Sequence, residues 1–182
     1  MVAHAAEGRS EAAAMSRDRN QTVIERISDR ELVYTRTFNG PARIVFDAWT
    51  KPELVARWWA PQSLGVSVIS CDADIRVGGE YRYVLRPGTR DTFAFSGHYT
   101  EITPHSRLVY TTFFEPTASG RIPDAEAVIV TVTFDEQNGK TNLVSRELYP
   151  SKDVLDMAIA TGMEKGARIT LDQLDALVES LA

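Results

Sequence analysis

The sequence predicts an α+β fold: a curved antiparallel sheet of about six to seven strands wrapped around one long C-terminal helix, with two short helices after the first strand. Three observations carry this. Residues 64–148 contain six short runs rich in β-branched and aromatic side chains, separated by Gly, Pro and Asn. Residues 151–181 change period, with apolar residues at 155, 159, 163, 167, 171, 174, 178 and 181, one stripe at spacings of three and four. A sheet with one apolar face must cover it, and this last segment is the element long enough to do so.

The elements follow in order. ELVYTRTF (31–38) reads as a strand, stopped by Asn39-Gly40-Pro41. PARIVFDAWT places Ile44, Val45, Ala48 and Trp49 near helical spacing, and Pro41 suits a first helical turn. Pro52 opens a second short helix, PELVARWW, which Pro61 ends. The strands are then 64–74, 80–86, 92–102, 107–114, 126–135 and 140–148. Asn138-Gly139 is a strong hairpin turn, because both residues tolerate positive φ. Short strands with tight turns imply an antiparallel meander. Ser151 is a suitable N-cap for the last helix, expected to run for about 30 residues, roughly 45 Å at 1.5 Å per residue, with kinks at Gly162 and Gly166.

Length and composition bound the rest. At 182 residues the expectation is one domain, residues 31–182, preceded by a poorly ordered extension over 1–30, within which 21–29 (QTVIERISD) reads as either a short strand or a lead-in. A net charge of −5 argues against a nucleic-acid partner, since phosphate contacts need a basic face. No run of about 18 apolar residues occurs, so no membrane span is expected. Cys71 is the one cysteine and has no internal disulfide partner. Residues 1–20 lack the apolar stretch of a secretory signal, which makes the cytoplasm the expected compartment.

The residues offer little familiar catalytic chemistry. There is no G-x-S-x-G and no phosphate-binding glycine loop; Gly78-Gly79 lacks the spacing of either nucleotide fingerprint. His4, His98, His105 and Cys71 do not share a ligand spacing, so neither a metal nor another cofactor is expected. Cys71 lies within a strand and reads as a buried inert thiol. Asp72 and Asp74 share a strand face, best explained by solvent or a salt bridge to Arg76. Arg146 and Glu147 point to opposite faces of their strand, so one can point inward, where a charge needs a partner or a shifted pKa. Glu147 and His98 are therefore the candidate catalytic groups, both weaker than the structural alternative.

The aromatic pattern says more. Alternation puts Tyr81 with Tyr83, and Phe93 with Phe95 and Tyr99, on single strand faces; Tyr110, Phe114 and Phe134 add bulk. These rings either fill a core or wall a cavity. Tyrosine favours the cavity, because a filled core would use Leu, Ile and Val and leave no hydroxyl to satisfy. Gly162 and Gly166 either let the helix approach the sheet or leave room for a ligand, and Met157 and Met163 adapt to varied apolar shapes.

One resemblance ties these pieces together. RTFNGPARIVFDAWTKPELVARWWAP (36–61) is similar to the opening of proteins like the activator of the heat-shock ATPase, of the START-related, birch-pollen-allergen-like (SRPBCC) superfamily. D-x-R-x-G-G-x-Y-R from Asp74, G-x-Y-x-E-I from Gly97, R-L-V-Y-T from Arg107, T-V-T-F at 131–134 and G-M-E-x-G at 162–166 follow in the family's order, covering roughly residues 31–181. The resemblance implies a helix-grip fold with an apolar tunnel between sheet and helix. It does not imply one activity. The family often has tryptophan after G-M-E-x-G; here it is Ala167, which favours a larger cavity.

The leading expectation is a binder of a small apolar or aromatic molecule in a tunnel lined by Trp59, Tyr81, Tyr83, Phe95, Tyr99, Tyr110, Met157 and Met163, with Gly162 and Gly166 beside it. Trp58 and Trp59 are expected to divide between core and tunnel mouth. The alternatives are a polyketide cyclase/dehydratase-like or hydrolase-like enzyme using the same cavity, and a co-chaperone-like partner-binding domain. An exposed outer sheet face would also allow a homodimer.

Overall fold

The structure, a computed structural model, describes residues 20–116, 120 and 126–182. In chain order the elements are β1 (Val23–Arg26), β2 (Glu31–Phe38), α1 (Ala42–Thr50), α2 (Pro52–Val55), β3 (Val66–Ala73), β4 (Glu80–Pro87), β5 (Phe93–Thr103), β6 (Arg107–Glu115), β7 (Val128–Gln137), β8 (Lys140–Leu148), α3 (Lys152–Ala160) and α4 (Met163–Leu181). The eight strands form one antiparallel sheet in the order β1-β2-β8-β7-β6-β5-β4-β3. Strands β3 to β8 follow the sequence reading to within a few residues. The β7–β8 hairpin turns through Asn138 and Gly139, both at positive φ, and registers Gln137 opposite Lys140.

Three elements differ from the expectation. The sheet has eight strands, because β1 lies inside the stretch expected to be an extension. Its register puts Ile24 opposite Tyr34, and Asn20 and Thr22 just before it are buried. Four residues flanked by charges carry no visible alternation, so this strand is decided by its partner. Residues 1–19 lie outside the described residues. The C-terminal stripe forms two helices. Gly162 sits at φ 79°, a left-handed position that ends α3 and starts α4. Gly166 stays inside α4 without breaking it. The second short helix is regular only to Val55, with turn bonds from Trp58 and Trp59 N–H to the Val55 carbonyl carrying the chain on.

Strand alternation puts Tyr81 and Tyr83, Leu108 and Tyr110, Val130 and Val132, Leu143 and Ser145, and Tyr34 and Arg36 on one buried face. Helices α1 and α4 lie on it. The second half of α4 buries Leu171, Leu174, Leu177 and Val178. Its polar side is fastened too. Gln173 Nε2 donates to the carbonyls of Trp58 (2.8 Å) and Ala60 (2.7 Å), while its Oε1 accepts from Gln62 N–H (3.1 Å). Ser151 caps α3 as its spacing implied, accepting from Val154 N–H at 3.2 Å. At α1 the cap comes from elsewhere: Glu136 Oε2 accepts from Ala42 N–H at 2.8 Å.

Two glycines make opposite predictions. A Cβ on Gly97 would stand 1.8 Å from the Thr111 carbonyl oxygen and 3.0 Å from the Tyr81 ring. Gly97→Ala is expected to cost about 3 kcal/mol or more through overpacking. A Cβ on Gly166 would meet only Pro61 Cγ, at 4.0 Å. Gly166→Ala is expected to stabilise by about 1 kcal/mol through helix propensity. Urea unfolding of both variants checks the pair.

Candidate functional site

The inner face of the sheet carries a layer of tyrosines. Tyr81 and Tyr83 come from β4, Tyr99 from β5 and Tyr110 from β6, and all four are buried. The Tyr81 centroid lies 5.0 Å from Tyr83, 5.7 Å from Tyr99 and 5.7 Å from Tyr110. Their hydroxyls have partners. Tyr81 donates to the Thr111 carbonyl at 2.9 Å, Tyr110 accepts from Trp49 Nε1 at 3.3 Å, and Tyr83 and Tyr99 bond to each other. Burial pushes the phenols of Tyr83, Tyr99 and Tyr110 above their usual range, so they remain neutral.

Towards one end of the sheet this layer opens. Trp58 is enclosed, donating from Nε1 to the Ala48 carbonyl at 2.8 Å. Trp59 is only partly buried, with its ring 5.3 Å from Tyr83 and 6.4 Å from Phe95. Phe95 in turn meets Phe93 and Phe114, and Phe114 is 51% exposed. The first half of α4 approaches this end at Gly166, where an added Cβ would lie 4.0 Å from Pro61 Cγ, and its Met163, Gly166, Ala167 and Thr170 are only half-buried.

At the other end stands Glu147, the inward member of the Arg146–Glu147 pair, following Leu143 and Ser145 on the same face of β8. Its Oε2 accepts from the Tyr149 hydroxyl at 2.7 Å and from the Tyr34 hydroxyl at 3.4 Å. Burial pushes its carboxyl up to about 7, against the pull of those two hydrogen bonds. The buried Leu32, Tyr34, Tyr149 and Leu155 make an apolar cluster there, with Met163 and Ala167 packed against it. Met163 Sδ lies 3.7 Å from the Tyr149 hydroxyl.

The expected site residues therefore separate. Tyr81, Tyr83, Tyr99, Tyr110, Phe95 and Trp59 share one surface, and Met163 and Glu147 border it. Met157 does not join them: it is 67% exposed on α3, because it stands two residues, about 200° of helical turn, from the buried Leu155. Gly162 is the exposed break itself, and Gly166 faces Pro61. His98 is exposed on the opposite face of the sheet, its Nδ1 3.0 Å from Thr111 Oγ1, so the two catalytic candidates do not meet. Asp74 pairs with Arg76 at 2.6 Å in solvent. Cys71 is half-buried, its thiol pushed up to about 12 mainly by burial. Tyr149 was missed, since it follows the strand and carries no periodic signal; Tyr34 shares the parity of Leu32 and could have been placed. A wide open hollow of about 510 Å³ lies elsewhere, between Ala56, Ala60 and the start of β3, with no titratable side chain in its wall.

Comparison with known proteins agrees with this architecture. The family model described as activator of Hsp90 ATPase homolog 1-like protein matches residues 39–179. Among solved structures, protein Ms6760 from Mycobacterium smegmatis is 22% identical with a TM-score of 0.76, covering 87% of this chain and 96% of that one. A protein from Staphylococcus epidermidis is 28% identical with a TM-score of 0.73, covering 88% and 95%. One from Arthrobacter aurescens is 18% identical with a TM-score of 0.77, covering 87% and 91%. These likenesses establish the helix-grip fold. No curated protein sequence matches the chain.

The raised carboxyl of Glu147 has a measurable consequence. A native pKa near 7 against 4.5 unfolded means that the folded state holds the extra proton between those values. Stability from this group is therefore complete below about pH 4.5 and is lost as pH rises through 7, on the order of 3 kcal/mol in all. Glu147→Gln is expected to flatten this slope and to unfold at higher denaturant than the parent at pH 7.5. Denaturant curves from pH 4.5 to 8 compare the two.

Proposed function

The chain belongs to the activator of Hsp90 ATPase homolog 1-like family, and we propose that it binds a small apolar or aromatic molecule between the inner face of the sheet and the first half of α4. The observation that carries this reading is the uneven cover along that helix. Leu171, Leu174, Leu177 and Val178 are buried, whereas Met163, Gly166, Ala167 and Thr170, earlier on the same helix, are not. Trp59, Phe93, Phe95 and Phe114 are left with apolar area that a second apolar body would cover. Burial at roughly 25 cal/mol per Å² supplies the affinity, so a ligand covering about 250 Å² gains about 6 kcal/mol before its ordering cost. Ala167 supports the same reading, since a tryptophan there would fill the space from the helix side. The fold is one that generally binds hydrophobic ligands.

Glu147 favours a second reading, in which the same space serves an enzyme of the cyclase, dehydratase or hydrolase type. A carboxyl near pKa 7 can both take and give a proton at neutral pH. Turnover that Glu147→Gln abolishes in a folded protein is the result that reading requires.

Native mass spectrometry of gently desalted protein, followed by extraction, identifies any co-purifying molecule; a near one-to-one apolar adduct is the expected result. Ala167→Trp is the matching variant. It is expected to weaken binding of an apolar fluorescent probe about tenfold or more by filling the space, with the melting temperature little changed. Unchanged probe affinity would move the binding surface away from α4.

A further inference from the structure

Glu147 is a carboxylate without a counter-ion on an otherwise apolar face. Both phenols beside it, Tyr149 and Tyr34, donate to the same oxygen, Oε2. Oε1 accepts no hydrogen bond from any described residue, and it is not among the sealed atoms that lack a partner, so it retains accessible surface. No lysine, arginine or histidine among the described residues contributes to its environment. Arg30, the guanidinium held nearby, spends its Nε on the Tyr149 carbonyl at 2.8 Å. Arg146 points to the other face of β8. The field around the site is negative from a second direction as well, since Glu164 on α4 acts on Tyr34.

We propose that Glu147 Oε1 receives a protonated amine, so that the ligand of this cleft is an apolar molecule ending in an ammonium group. This rests on the cleft-binding reading above and names its ligand class. Neutral donors already occupy Oε2, and a further hydroxyl would leave the charge uncompensated, whereas a cation neutralises it. Tyr34 and Tyr149 turn their hydroxyls to the carboxyl, and the buried Tyr110 acts on it from within the sheet, so no other charge among the described residues competes for Oε1. The register carries Glu147 across Val130 on β7 and Tyr110 on β6 to Tyr99 on β5, three strand steps or roughly 14 Å at about 4.8 Å each. A twelve-carbon tail is long enough to cross those three strands and would end against Tyr99, in the tyrosine layer.

The test is calorimetric titration of the full chain with dodecylamine, dodecanol and dodecanoic acid, below their aggregation limits, at pH 7. The amine is expected to bind about tenfold more tightly than the alcohol, with the acid weakest. In Glu147→Gln, with fold checked by circular dichroism, amine and alcohol should converge while the alcohol keeps its affinity. Equal binding of amine and alcohol by the parent protein, or tightest binding of the acid, overturns the proposal and leaves the cleft reading standing. An amine preference that persists in Glu147→Gln overturns it too. Failure of all three to bind overturns the cleft reading and this inference with it.

Discussion

The buried guanidinium of Arg36 joins β2 to the second half of α4. Its Nη1 lies 2.5 Å from Asp172 and 3.0 Å from Thr22 Oγ1, and its Nη2 lies 3.0 Å from Asp175. Taking an arginine and an aspartate out of water is expensive, and removing one partner strands the other. The cost is visible here: Arg36 Nε and Asp175 Oδ1 are sealed without a partner, and burial raises the Asp175 carboxyl despite the arginine. What the ion pair provides is position. An apolar stripe alone would let a helix slide along a sheet, whereas the fork of Arg36 accepts one register. Gln173 fixes the same register from the other side, through the carbonyls of Trp58 and Ala60.

Arg168, in the first half of α4, adds a further tie from its guanidinium to the Thr22 carbonyl, so the polar fastening runs along the helix while its apolar cover does not. Leu174 and Val178 are fully buried where the helix is clamped, while Met163 and Ala167 are not. Gly162 marks the boundary on the chain: its left-handed backbone ends α3, whose Leu155 packs on Leu32 and Tyr34 of β2 while Met157, on its far side, faces solvent. The tyrosine layer beneath presents apolar ring faces, because its hydroxyls are already paired, that of Tyr81 with the Thr111 carbonyl and that of Tyr110 with Trp49 of α1.

Glu147 brings a cost of a different kind. Arg36 is charged and paired, whereas Glu147 meets only neutral phenols and holds its proton to about pH 7. Two buried polar groups on the same face thus have opposite consequences: one orders the structure, and the other leaves an unsatisfied demand for a cation at the edge of the apolar surface.

The order and bounds of strands β3 to β8, the Asn138-Gly139 turn, the cap at Ser151 and the parity of the tyrosines were legible in the sequence, because each follows from neighbouring residues and a period of two or 3.6. The inward aim of Glu147 was half legible: alternation said that either it or Arg146 points in, and only the sheet's register chose. Strand β1 was half legible, as a short strand or a lead-in within 21–29, because a four-residue strand is defined by its partner; the break at Gly162 was not, since a stripe of apolar residues does not record where a helix stops; and Met157 stands off that stripe, two residues from Leu155, which is why it faces out. Nor could residues far apart in the chain announce that Tyr34, Glu147 and Tyr149 would meet. Local propensity determines which elements form; which side chains share a space is decided by long-range pairing, where a shift of one residue inverts a strand's face.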